Sequence, residues 1–149
     1  MLTFAVCILA HAVLAVSLPS PWLVPNLTLV GMAQAITTRP SRWFMVSVLA
    51  ALSVMGWAIR FAAPIFAGYW LVGAAMRVII GQWETADVRL QCVLAGVACA
   101  CVTFGALWLD GLWSWRILGG ALVHVAATGC APLAVHRLLG RRSRVRRAI

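Results

Sequence analysis

Three carboxylates, Glu84, Asp87 and Asp110, are all the acid in this sequence of 149 residues, and they limit its chemistry at once. Each lies in or beside a short polar stretch, and Glu84 and Asp87 are separated from Asp110 by a long apolar run. No carboxylate pair is therefore available for general acid–base work, and a two-carboxylate hydrolase or a proton relay is not expected. The histidines offer more. His11 falls near the middle of the first apolar run, with Cys7 four residues earlier on the same helical face. His124 falls mid-run in the last apolar segment, with Gly120 and Thr128 one turn to either side. A shared Cys7–His11–His124 site would suit a soft metal. The plainer reading is a neutral imidazole bonding across a helix interface. His136, near the end of the same segment, reads as interfacial. Arg77, one turn before the end of the fourth run, either snorkels to lipid head groups or reaches a neighbouring helix or ligand, and snorkelling is the simpler of the two.

The five cysteines, Cys7, Cys92, Cys99, Cys101 and Cys130, all sit inside apolar stretches and include no C-x-x-C pair. They read as small hydrophobes rather than as a metal or disulfide framework. No nucleophile elbow, zinc-protease helix or phosphate-cradling loop occurs. An enzyme is not expected, nor a cofactor.

What must position these side chains is a membrane bundle. The chain is 64% hydrophobic and 10% charged, with mean hydropathy +0.99. A soluble domain carries about a quarter charged residues. Six runs approach the roughly 17–25 apolar residues needed to cross the hydrocarbon core. They are read at about 2–18, 22–37, 43–62, 65–80, 88–109 and 117–139. Pro25 is placed in the first turn of the second run, Pro64 closes the third, Gly81 stops the fourth, and Asp110–Gly111 turns the chain after the fifth. The first run lacks a positive leader and reads as a retained helix rather than a cleaved signal. The second is short and contains Asn26, Thr28 and Gln34, so it either crosses or dips back. Backbone groups in lipid must be satisfied within each segment, which makes the expected fold an all-α bundle of six transmembrane helices over residues 1–139, followed by a basic tail over 140–149.

All twelve basic residues are arginines. With the tail inside, ten fall on the cytoplasmic side, among them Arg39, Arg42, Arg77 and Arg89, against Arg60 and Arg116 outside. That bias predicts both termini in the cytoplasm. The tail is expected to touch anionic lipid, and nucleic acid is not an expected partner. Of the eight tryptophans, most fall near run ends, as interfacial anchors do. Cys92, Gly96 and Ala100 recur every four residues on the fifth run. Gly120, His124, Thr128 and Pro132 do so on the sixth, where Pro132 is expected to kink the helix. Both are small-residue packing faces.

Leu23-Val24-Pro25-Asn26-Leu27-Thr28-Leu29-Val30, with Pro40 in the loop Arg39-Pro40-Ser41-Arg42, resembles the N-terminal half of the rod-shape-determining MreD family. The family's acidic residue near the end of the third helix has no counterpart in Val54-Met55-Gly56-Trp57-Ala58-Ile59-Arg60. The resemblance implies a non-enzymatic inner-membrane component of the bacterial elongation machinery, docking MreC and, through it, peptidoglycan-synthesis partners. It also implies a bundle similar to the substrate-binding component of energy-coupling-factor vitamin transporters, and such a component is the competing expectation. That alternative would gather Asn26, Thr28, Gln34, Arg60, Tyr69, Trp70 and Arg116 round an outer pocket. For a docking role the candidate residues are Pro25, Asn26, Pro40, Gly96, Ala100, Gly120 and His124.

Overall fold

The computed structural model describes residues 2–55, 62–82, 88–111 and 114–146, without the side chains of 21, 62, 110 and 138–146. Six α-helices follow one another: α1 (Leu2–Ser17), α2 (Leu27–Thr38), α3 (Trp43–Met55), α4 (Ala62–Ile80), α5 (Val88–Asp110) and α6 (Trp115–Arg146). Short 3-10 turns over Pro21–Leu23 and Pro40–Arg42 precede α2 and α3. Glu84, Asp87, Arg60, Trp57, Trp83 and Trp113 lie outside the described residues.

The order and number of helices match the reading of the sequence, but six full crossings do not. Among the described residues three helical stretches are long and apolar enough to cross a membrane: Ala63–Ile80, Val88–Leu109 and Trp115–Arg137. The other three are shorter, and α2 is shortest at 12 residues. At 1.5 Å per residue α2 spans about 18 Å, well under the ~30 Å of hydrocarbon. The reason lies in Pro25. It precedes the helix instead of sitting in its first turn, and the chain from Pro21 to Asn26 is spent on a 3-10 turn and a cap. Pro64 likewise sits in the first turn of α4, where a missing N–H costs little, and does not close α3. α6 continues as one helix through Pro132 and Gly140 to Arg146.

α2 is short because it is central. It packs against each of the other five helices, and Thr28–Ala33 and Ala35–Thr37 are all buried. Leu29, Met32 and Ile36 of α2 form the core with Phe4, Val46, Tyr69, Met76, Leu94 and Cys99. The outer surface is the reverse. Leu2, Val6, Leu9, Val13 and Val16 make an exposed stripe along α1, and Leu71, Val78, Val93, Val97, Leu122 and Val123 are exposed on α4, α5 and α6. A large apolar surface rimmed by charged ends suits lipid and would be a liability in water.

The ends are well defined by local chemistry. Gly111 has φ +64°, the left-handed conformation that lets the chain leave α5. Ser114 Oγ then accepts from the Ile117 amide at 3.3 Å and caps α6. At the other end Gln91 of α5 reaches Thr37 of α2, and Arg77 of α4 donates to the Pro40 carbonyl at 3.3 Å. The ends of α2 and α4 and the start of α5 therefore meet, bringing Arg39, Arg42, Arg77 and Arg89 to one pole. Arg116 starts α6 at the opposite pole.

Candidate functional site

Both ends of α2 carry buried polar groups, and they are built differently. At the N-terminal end, Asn26 caps the helix: its Oδ1 accepts from the Leu29 amide at 3.1 Å. Its Nδ2 donates to the Tyr69 hydroxyl of α4 at 3.1 Å, and its backbone amide donates to Thr128 Oγ1 of α6 at 2.8 Å. The Thr128 hydroxyl donates back to the His124 carbonyl at 2.8 Å, and the Cys99 thiol of α5 donates to Thr128 Oγ1 at 3.5 Å. Tyr69, Cys99 and Thr128 are fully buried. One residue thus ties α2 to α4 and α6, and through Thr128 to α5. In an apolar interior each of these groups would cost several kcal/mol if left unpaired.

Beside this network, His11 Nδ1 donates to the Pro25 carbonyl at 3.2 Å and joins α1 to the approach to α2. The His124 ring stands edge-on to Trp22, centroids 6.5 Å apart, close to the Val24 backbone, with Nδ1 buried and unbonded. The alternative of a shared soft-metal site gains no support from the geometry. Among the described residues no three His, Cys, Asp or Glu side chains gather. Cys7 packs against Gly31 and His11 turns to a carbonyl, so the predicted trio has separate partners.

At the C-terminal end of α2 lies a cavity of about 360 Å³ between α2, α5 and α6. Gln34, Thr37, Thr38, Gln91 and His136 give it polar walls, and Val30, Val88, Pro132 and Val135 complete it. The threonine hydroxyls donate to backbone: Thr37 to the Gln34 carbonyl at 2.8 Å, and Thr38 to those of Gln34 and Ala35, both at 3.0 Å. Gln91 Nε2 donates to Thr37 Oγ1 at 3.4 Å. Gln34 Oε1 is buried and has no partner. The walls therefore carry both acceptors and donors, since each glutamine amide supplies a carbonyl oxygen and an NH2 group.

The packing candidates fall on separate interfaces. Gly96 of α5 meets Gly129 of α6, a Cβ on Gly96 standing 3.5 Å from Gly129 Cα, and the Cys92 carbonyl lies alongside. Gly120 is filled by Trp22, whose Cγ would stand 2.8 Å from an added Cβ. Trp22 is therefore a packing residue as well as a candidate anchor, while Trp108 and Trp115 are exposed as anchors would be. Ala100 is half-buried on α5, and Pro40 is exposed in its loop. Two close approaches were not anticipated from spacing within helices. Gly31 of α2 faces Phe4 and Cys7 of α1, and Gly73 of α4 faces Ser47 of α3.

Finally, an apolar groove of about 550 Å³ runs along the outside between α1 and α6. Thr3, Val6, Cys7, Ala10 and Leu14 form one wall, Ala127, Cys130, Ala131, Ala134 and Val135 the other, and Pro25 and Leu27 the floor. The residues considered for an outer ligand pocket do not converge. Asn26 and Tyr69 satisfy each other, Thr28 is buried, Gln34 lines the cavity at the other end, Trp70 packs on Trp43, Arg116 is exposed and Arg60 lies outside the described residues. No protein-family model, curated protein or solved structure matches this chain.

Proposed function

We propose that this chain is a non-enzymatic component of the bacterial inner membrane that docks partners of the cell-elongation machinery, as its resemblance to the MreD family implies. The observation that carries this reading is the lateral groove between α1 and α6. Ala10, Ala127, Ala131 and Ala134 keep its walls low, and small residues let a partner's transmembrane helix approach closely in lipid. The Pro25–Asn26 pair, on which the resemblance rests, has a matching physical role, since Pro25 forms part of the groove floor while Asn26 ties the bundle together behind it. The occupant is the membrane-spanning helix of an MreC-like protein, and peptidoglycan synthases would join through that partner.

In this reading the arginine pole faces the cytoplasm, which places both termini there, and the three long helices cross the bilayer. The shorter α1 and α3 complete the bundle around α2. A vitamin-type transporter component is the less favoured alternative, because its pocket belongs at the outer pole. The one polar cavity described above lies at the arginine pole.

Purification of the tagged protein from native membranes, with mass spectrometry of what accompanies it, tests the proposal. An MreC-like protein should be recovered with the native sequence and lost with Ala131→Trp, which fills the groove from α6. Recovery of an ATPase pair with a membrane coupling subunit would overturn it in favour of the transporter component.

A further inference from the structure

Around Pro132, α6 has open space on two adjacent faces. Ala131, Ala134 and Val135 line the outer groove toward α1, while Pro132, Val135 and His136 line the cavity toward α2 and α5. Val135 belongs to both walls, so on α6 it is the residue that divides one space from the other. Before Pro132 the helix is held firmly. Thr128 is buried and bonded to Asn26 and Cys99, and Gly129 lies against Gly96 of α5. After Pro132 that hold is lost. Pro132 itself is buried, but Leu133, Ala134, His136 and Arg137 are exposed and Val135 is only half-buried. Pro132 also lacks the N–H that would bond the Thr128 carbonyl, so the helix's own ladder is cut where its anchored part ends.

An α-helix with its side chains is about 10–12 Å across, whereas the groove offers about 550 Å³. Seating a partner's transmembrane helix there requires the groove to widen, and the cavity of about 360 Å³ behind Val135 is the space into which α6 can yield. We infer that Pro132 is a hinge, and that a helix seated in the groove swings the end of α6 toward α2 and α5 and closes the cavity. The inference rests on the reading of the groove as a docking site and gives that site an output. From Pro132 to Arg146 the helix is about 21 Å long, and a bend of about 20° moves its tip by about 7 Å. This arm carries Arg137, Arg141, Arg142, Arg144 and Arg146, so occupancy of the groove within the bilayer is passed to a basic segment at the arginine pole.

The test measures the separation of positions 39 and 143 in the full chain in detergent, by double electron–electron resonance between nitroxides on unnatural ketone side chains. Ala10→Trp on α1 fills the groove in place of a partner and should shorten that separation by about 5 Å. Val88→Phe on α5 fills the cavity and should lengthen it. Pro132→Ala restores the missing ladder bond, so in both backgrounds it should suppress the shift, and in the native chain it should narrow the distribution of distances. Shifts that persist with Pro132→Ala, or a separation that neither filling changes, would overturn the inference. Should the filled variants not fold, the distribution decides: a width unaltered by Pro132→Ala overturns the hinge. The labels need no partner. A swing seen where no MreC-like protein is recovered would therefore remove the docking reading alone, and recovery of that protein with a rigid α6 would remove the hinge alone.

Discussion

The two ends of α2 invite comparison because they use similar residues to opposite effect. At the N-terminal end, Asn26, Tyr69, Thr128 and Cys99 bond to one another across four helices, and Thr28 Oγ1 and His124 Nδ1 are buried beside them without a hydrogen bond. At the C-terminal end, Gln34, Thr37, Thr38 and Gln91 surround a cavity, and their bonds run mostly to backbone of α2 itself. A polar network that joins several helices makes a bundle specific and rigid. Polar residues on one short central helix thus divide into those that tie helices together and those that line a cavity.

The sharpest way to break this contrast is at Asn26. Asn26→Leu removes the cap and strands the Tyr69 hydroxyl, while the backbone bond to Thr128 is kept, and should cost about 2–4 kcal/mol of stability. Thermal unfolding in detergent reads this directly. Asn26→Ser should recover the part due to the cap, and a wild-type melting temperature for Asn26→Leu would remove the network from the account of stability. Next in size is Gly73→Ala on α4, whose new methyl falls on Ser47 Oγ of α3. Overpacking of this kind costs about 1–3 kcal/mol. Ser47→Ala in the same chain should restore part of it, and no recovery would show that the two helices do not meet there.

Tyr69→Phe is subtler, since the ring still fills its site and only the hydroxyl accepting from Asn26 is lost. About 1–2 kcal/mol is expected from leaving the Asn26 amide group unpaired. A change equal to that of Asn26→Leu would mean that the ring, and not the hydrogen bond, is what matters. Smallest is Arg77→Gln. The arginine is exposed and its bond to the Pro40 carbonyl is 3.3 Å long, so stability should change by no more than about 0.5 kcal/mol.

Much of the fold could be read in the residues. Helix order, the Gly81 and Asp110–Gly111 stops and the sorting of arginines follow from local chemistry and hydropathy, which act within a few residues. The role of α2 could not be read in the same way. Asn26, Thr28 and Gln34 looked like defects in a weak span, because hydropathy assumes that a helix faces lipid. A helix sheathed by five others faces protein, where a side chain such as that of Asn26 finds a partner on a neighbouring helix. Asn26 was singled out by its neighbour Pro25, yet its partners Tyr69 and Thr128 lie 43 and 102 residues away. Nothing in the spacing joins them. Glycine pairings failed for the same reason. Gly96 showed a small-residue face, but its partner Gly129 is set one position away from the 120–124–128–132 row and is known only once α5 and α6 are docked. The Cys7–His11–His124 grouping shows the converse: residues read as one trio each take a partner of their own, Gly31 for Cys7, the Pro25 carbonyl for His11 and the Trp22 ring for His124.

The most direct measurement is the melting temperature of Asn26→Leu beside that of Gln34→Leu, each in the full chain in detergent. Asn26→Leu should melt several degrees below the native chain, because it breaks bonds between helices, and Gln34→Leu should melt near the native value. Equal losses in the two variants would contradict a division of labour between the two ends of α2.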